Sequence, residues 1–474
     1  ATTVRLAPGT LSLSGEAVEG MSAEDVVGFK RVISMPTKYA GIIHGPPAGE
    51  RVPDLLPELG PERLVEIASG QVATLWLDIR ANGLSAGEYR LSWPITTLEP
   101  APANDTLKIA LRVSPVSLPE KLHDRPVSFH AWIYPQGLPD ERQKRLAPYL
   151  RQGGANVACL SLPRGKMNTS GTALLEPLDW TAFDRVYTNI GPLKYIMLPG
   201  FGFVFPQGTE PSENDRHKAW RTYGDAVFPH LAAMGIRPEQ LGLYPKDEPA
   251  LNGEASLTPY MNVALEVTAA DPRWQLYANP GGAATFEQMQ RMAPVTHVWQ
   301  PTLDKFIQFG DSLLTLMRAD GEPVWFYEAP GESRTMNPLG HYRMYGWSAF
   351  RWNLDGWGFW VLLHGNSQWN TTSNLEPQYT TLADDGRNYT HTRRWLACRD
   401  ATEDVTAFMM LREQLRTASD VAGEEALKTV KRMSLPMDNV MRQGWTTSNW
   451  DPDWNHIQAV RLEVEQALSR LRDN

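Results

Sequence analysis

The sequence predicts an α/β protein: a (β/α)8 TIM-like barrel preceded by an N-terminal antiparallel β-sandwich, with C-terminal helices packed on the barrel. Three observations predict it. Residues 1–118 alternate apolar and polar side chains at period two, residues from about His123 alternate short apolar strands with helical stretches, and the tail carries apolar residues at helical spacing.

In the first part, residues 72–80, 88–94 and 106–113 alternate as half-buried strands do. Gly- and Pro-rich stretches at 47–50, 86–88 and 99–105 separate them. That pattern fits a sandwich of antiparallel strands. Its exposed aromatics are expected to be few, Trp76 and Trp93, so the sandwich reads as a brace for the barrel more than a glycan-binding module. Residues 114–120 read as a linker, which sets the domains at 1–118 and 119–474.

Strand-like segments then follow at 127–133, 156–162, 194–199, 241–249, 275–279, 297–300, 324–328 and 356–361, with helices at 141–152 and about Ala219–Met234. Eight such strands argue for a parallel barrel. An open doubly wound sheet would carry a glycine-rich phosphate turn after its first strand, and residues 137–140 do not form one. Helices at 404–415 and 456–468 close the chain, and the loops at 201–216, 329–342 and 365–388 are long enough to shape a site.

Composition narrows the function classes. A chain of 474 residues, 42% hydrophobic and 21% charged, suits two domains or a barrel with additions. No run of 18 apolar residues appears, so no membrane span is expected. The net charge of −9, without a Lys/Arg cluster, makes nucleic acid a poor partner. Cys159 and Cys398 lie far apart, and Cys159 reads as a small buried hydrophobe. The chain begins at Ala1 without a Met or a leader-like segment, so a removed leader, with secretion or a periplasmic location, is the expectation, the cytoplasm staying open. Of 17 tryptophans, nine fall between Trp274 and Trp395, and a flat apolar face with one N–H suits a sugar ring as well as a core.

Barrel sites lie at the C-terminal strand ends. Those ends carry His130, Trp132, Asp247, Glu248, Asn279, Trp299, Gln300, Tyr327, Glu328, Trp360 and His364. Asp247 and Glu248 stand out, because an ion after an apolar strand must be solvated, paired or functional. Neighbours on a regular strand point to opposite faces, so both serve one site only where alternation breaks. Pro249 supports a break and is expected to push Glu248 toward extended geometry. The alternative is a solvated turn with an Asp cap.

Asp247-Glu248-Pro249 after the fourth strand resembles the catalytic signature of glycoside hydrolase family 123 and its uncharacterised relatives. Residues 52–56, 86–89 and 116–119 resemble that group's N-terminal β-sandwich. Residues 324–327, Arg343 before Gly346-Trp347, 358–360 and 394–404 resemble its last two strands and following helix. The resemblance implies a retaining, exo-acting β-N-acetylhexosaminidase of the β-N-acetylgalactosaminidase type acting on an oligosaccharide or glycoconjugate. The substrate's acetamido oxygen would attack the anomeric carbon, Asp247 would stabilise the oxazolinium, and Glu248 would be general acid, then base.

Glu328, ending the seventh strand, opens a second reading: Glu248 as acid with Glu328 as nucleophile or base on sugars lacking an acetamido group. Its bland alternative is an ion pair with Arg343 or Arg351. A third reading is a barrel that binds carbohydrate without turnover. Tyr244, His130, Asn279, Tyr327 and Arg343 are candidate sugar-hydroxyl or acetamide partners, and Trp299, Trp325 and Trp360 candidate stacking platforms. The histidines show no metal-ligand spacing and no Gly-x-Ser-x-Gly elbow occurs, so no metal, no cofactor and no acyl-transfer chemistry are expected. The oligomeric state is not legible.

Overall fold

The computed structural model describes residues 2–36, 51–99, 101–319, 321, 323–329, 337–363, 380–442 and 451–473. His364 and most of the 365–388 loop lie outside them.

The N-terminal part is antiparallel throughout. Strands Gly87–Glu99 and Ala103–Val113 pair from Thr97↔Ala103 to Gly87↔Val113, and Thr2–Leu6, Thr10–Leu13, Glu16–Ala17 and Leu64–Ile67 complete that sheet. Strands Val27–Arg31 and Leu75–Ile79 form a second pair. The two layers share a core of Leu6, Leu11, Val27, Phe29, Val65, Tyr89, Leu91 and Trp93. Trp93 is fully buried, edge-on to Phe29 at 5.2 Å, which corrects its expected exposure: alternation points it inward.

A further sheet crosses the expected boundary at 118. Strands Ile33–Pro36 and Arg51–Leu56 are continued by Tyr389–Thr392 and Ala383–Asp384, so the end of the long 365–388 loop becomes sheet. Ion pairs fasten the same seam. Arg394 donates to both oxygens of the buried Asp54 at 3.0 and 2.8 Å, and Arg399 to Asp78 at 2.6 Å. Bidentate geometry is what lets such pairs offset their desolvation.

Besides a short parallel pair, Gly165–Lys166 with Phe203–Val204, eight strands are parallel, each with a helix following it in the chain. They are Ser128–Ala131, Val157–Cys159, Tyr195–Leu198, Leu241–Leu243, Tyr277–Ala278, Val298–Trp299, Trp325–Glu328 and Gly356–Phe359. Regular ladders join the second to the third, the third to the fourth, the fifth to the sixth, and the seventh to the eighth. Isolated bridges Leu243↔Leu276 and Trp299↔Val324 link the intervening neighbours. Asn156 N–H donates to Phe129 O and Cys159 N–H to Ile133 O, both at 3.2 Å, between the second and first strands. The eighth pairs back to the first, Gly356↔Ser128 to Phe359↔Ala131.

Alternation divides these strands. Trp132, Val157, Cys159, Met197, Tyr244, Tyr277, Val298, Trp325, Tyr327 and Val361 form one inner cluster. Phe129, Ala158, Ile196, Leu243, Phe326 and Phe359 face the helices in the main core. The expected 404–415 helix is the end of Arg393–Gln414, which follows the eighth strand. Trp454–Asp473 adds Ile457, Val460, Val464 and Leu468 to that core. Among the described residues no helix is long and apolar enough to cross a membrane.

Candidate active site

The fourth strand is regular only over Leu241–Leu243; Tyr244 still packs inward, and residues 246–250 are bends and turn. Asp247 is exposed and Glu248 half-buried. Glu248 has φ 41°, not the extended backbone expected before Pro249. The steric conflict before proline disfavours right-handed helical geometry, and the left-handed region is the other way to turn the chain, at about 1–3 kcal/mol for a non-glycine residue. Leu251 N–H closes the turn by donating to Glu248 O, and Ala250 N–H ties it to Pro280 O of the next loop, both at 3.0 Å. Gly281, at φ 92°, admits this approach, since a Cβ there would lie 3.0 Å from Glu248 Cβ.

Tyr244 donates its hydroxyl to Asp247 Oδ1. Burial, and then the neighbouring Asp247 charge, hold the Glu248 carboxyl above the usual carboxylate range. The Asp247 charge also pushes up the phenols of Tyr134, Tyr244 and Tyr277 and the Cys159 thiol, after burial as the larger cause. Its field therefore falls on the inner end of the strands.

That end is an aromatic floor. Trp132 lies 5.4 Å from Tyr244, 6.3 Å from Tyr277, 6.0 Å from Tyr327 and 6.3 Å from Trp360. Beneath it His130 Nδ1 and the Tyr277 hydroxyl both meet Gln300 Oε1, at 3.2 and 2.6 Å, while Gln300 Nε2 donates to Phe326 O. An amide oxygen only accepts, so His130 carries its proton on Nδ1. Burial lowers its pKa to about 4, and the ring is neutral at neutral pH. Gly358 makes room for the network, because a Cβ there would stand 2.5 Å from Gln300 Nε2.

The predicted residues divide accordingly. Asp247, Glu248, Tyr244, Tyr327 and Trp360 gather at this floor. His130 lies under it, and buried Asn279 turns the adjoining loop by accepting from Gly281 N–H at 3.2 Å. Three expectations are corrected. Trp299 belongs to the outer core and is buried between strand and helix. Trp325 begins the seventh strand, edge-on to Tyr195 at 5.0 Å, at the opposite end from the carboxylates. Arg343 is fully buried in the helical layer, donating to Asp404 at 2.7 and 3.1 Å.

Glu328 is also displaced from the role the second reading gave it. It is 1% exposed and accepts the Leu303 N–H at 2.8 Å, at the start of helix Leu303–Phe309. Its parity is that of outward-facing Phe326, not of inward-facing Trp325 and Tyr327. Two aromatics were missed by sequence. Tyr134, 45% exposed, lies 6.4 Å from Trp360, and Tyr277 carries the buried network. The Trp132-x-Tyr134 spacing just past the first strand was the available signal.

A cavity of about 680 Å³ opens at the other end of the strands, lined by His123, Asp124, Lys194, Tyr195, Arg237 and Gln240 among others. It is remote from both carboxylates. Among the described residues no group of three or more His, Cys, Asp or Glu side chains is placed to hold a metal ion.

No family model and no curated protein matches the chain. Solved structures similar to it include a family 39 glycoside hydrolase from Bacteroides cellulosilyticus WH2, with 13% identity, a TM-score of 0.40, and 84% of this chain and 82% of that chain covered. A family 2 β-galacturonidase from Eisenbergiella tayi matches at 10% identity and TM-score 0.36, covering 84% and 72%. An endo-1,4-β-mannanase from Rhizomucor miehei matches at 8% identity and TM-score 0.34, covering 58% and 95%.

Proposed function

We propose that the protein is a glycoside hydrolase with a closed (β/α)8 barrel, and that it acts as a retaining, exo-acting β-N-acetylhexosaminidase of the family 123 type. The observation that carries this reading is the unequal pair at the fourth strand's end, an exposed Asp247 held by Tyr244 beside a half-buried Glu248 whose carboxyl is pushed up. An oxocarbenium-like transition state needs a nearby anion and a proton donor for the leaving oxygen, and this pair supplies one of each.

In the proposed reaction the acetamido carbonyl oxygen attacks the anomeric carbon as the glycosidic bond breaks. Glu248 protonates the leaving oxygen. Asp247 takes the amide N–H and balances the positive charge of the oxazolinium. Water then attacks the anomeric carbon and gives its proton to Glu248, restoring the amide with net retention. The burial of Glu328 against Leu303 favours this route over a carboxylate nucleophile from the seventh strand. Trp360 and Tyr134 are the proposed walls for the sugar.

A panel of aryl glycosides tests the reading: β-N-acetylgalactosaminide and β-N-acetylglucosaminide beside plain β-galactoside and α-linked sugars. The expected result is turnover of acetamido sugars alone, blocked by a thiazoline mimic of the oxazoline. Turnover of sugars without the acetamido group would sink substrate assistance, and unchanged activity in both Asp247→Asn and Glu248→Gln would sink the assignment of the pair.

A further inference from the structure

Asp247 is exposed, on an irregular stretch beyond its strand, so nothing in its own backbone fixes where its two oxygens point. Tyr244, which donates to Oδ1, is by contrast held on several sides. Its ring stands edge-on to Tyr277 at 5.0 Å and tilted against Trp132 at 5.4 Å. Tyr277 is itself fixed by its 2.6 Å bond to Gln300, which His130 and Phe326 O hold in turn. The orientation of an exposed carboxylate is thus referred to a buried, uncharged network inside the strands.

We propose that Tyr244 is a positioning residue: by occupying Oδ1 it stops rotation of the Asp247 carboxylate and leaves Oδ2 alone to meet the sugar's amide N–H. This rests on the acetamido-sugar reading above, and it moves Tyr244 from substrate contact to a role through Asp247. The Asp247 charge is felt by Glu248 beside it, Tyr134 from the loop after the first strand, Cys159 from the second strand and Tyr277 from the fifth. Each of these is an acid that the Asp247 charge disfavours ionising, whereas the Tyr244 hydroxyl donates a hydrogen bond to that charge.

The test is Tyr244→Phe, which keeps the ring and its packing, assayed with 2,4-dinitrophenyl β-N-acetylgalactosaminide. The expected result is a kcat lower by about tenfold or more with KM changed by less than about threefold, the factor a lost charge-assisted hydrogen bond gives. In an Asp247→Asn background the same substitution has no further effect. Affinity for the thiazoline inhibitor, measured by calorimetry on the same four proteins, reads the cycle where turnover is slow. Equal losses in both backgrounds, or a raised KM with unchanged kcat in Tyr244→Phe, would each overturn the proposal while the wild type stays active on acetamido sugars. A wild type inactive on those sugars would remove the reading and this inference together.

Discussion

Glu328→Gln separates the two carboxylate mechanisms most sharply. The Glu328 carboxylate accepts the Leu303 N–H at 2.8 Å at the first residue of helix Leu303–Phe309, and is 1% exposed. Glutamine keeps an acceptor oxygen for that N–H and loses the favourable charge at a helix N-terminus, about 0.3–1 kcal/mol and up to about 2 when partly buried. Glu328→Ala leaves Leu303 N–H unpaired as well, adding about 1–3 kcal/mol. Melting temperatures are therefore expected to fall by a few degrees for Gln and further for Ala, at roughly 2–4 °C per kcal/mol. Hydrolysis of an aryl β-N-acetylgalactosaminide is expected to stay within about threefold for Glu328→Gln. Loss of a covalent nucleophile instead costs on the order of 10⁴-fold in kcat, about 5.4 kcal/mol of transition-state stabilisation. The assay is kcat/KM with thermal melts on both variants, repeated with azide. A collapse of 10³-fold or more in Glu328→Gln with an unchanged melt, and azide rescue of Glu328→Ala as a glycosyl azide, would refute the placement of this side chain in the outer layer.

Asp247→Asn removes the charge that helps hold the Glu248 proton, so the alkaline limb of kcat/KM is expected to move to lower pH, and an unmoved limb would separate the pair electrostatically. The raised Glu248 pKa means that its ionisation opposes folding. Glu248→Gln is therefore expected to raise stability above the Glu248 titration and not at low pH, read by urea unfolding at two pH values. His130 carries the opposite sign. Its folded pKa of about 4 lies below the ordinary 6.5, so the unfolded chain binds the extra proton and stability falls as pH drops from about 6.5 to 4. His130→Gln is expected to flatten that slope without abolishing it, since His391, with a pKa of about 3, contributes in the same direction. Asp54→Asn removes the carboxylate charge that faces the buried Arg394 guanidinium, and is expected to cost about 3–5 kcal/mol in denaturant unfolding; a loss below about 1 kcal/mol would contradict the buried pair.

The strand–helix rhythm and the Asp247-Glu248 position were legible because they rest on local features: apolar runs, a broken alternation, a proline. Which side of a strand a terminal residue takes was not. Tyr327 and Glu328 are adjacent, yet the first joins the inner aromatic cluster and the second caps an outer helix. Their fates follow from one-residue parity, and a candidate list made of strand ends includes both sides of the wall. The same blindness explains Trp299, Trp325 and Arg343. Tryptophan and arginine carry no label telling a sugar platform or hydroxyl donor from a core filler or a buried ion pair.

The motifs behind the family resemblance sharpen the point. Asp54 in 52–56 pairs with Arg394 in 394–404, and Arg343 pairs with Asp404 of that same run. Segments that carry the family resemblance include staples of this chain's own frame. The frame does, however, constrain chemistry. By seating Glu328 against Leu303 and referring Asp247 through Tyr244 to the neutral His130–Gln300–Tyr277 network, it leaves the fourth strand's end as the place where an anion and a proton donor meet. With Glu328 turned to the outer layer, that pair is what the proposed acetamido-assisted route would use.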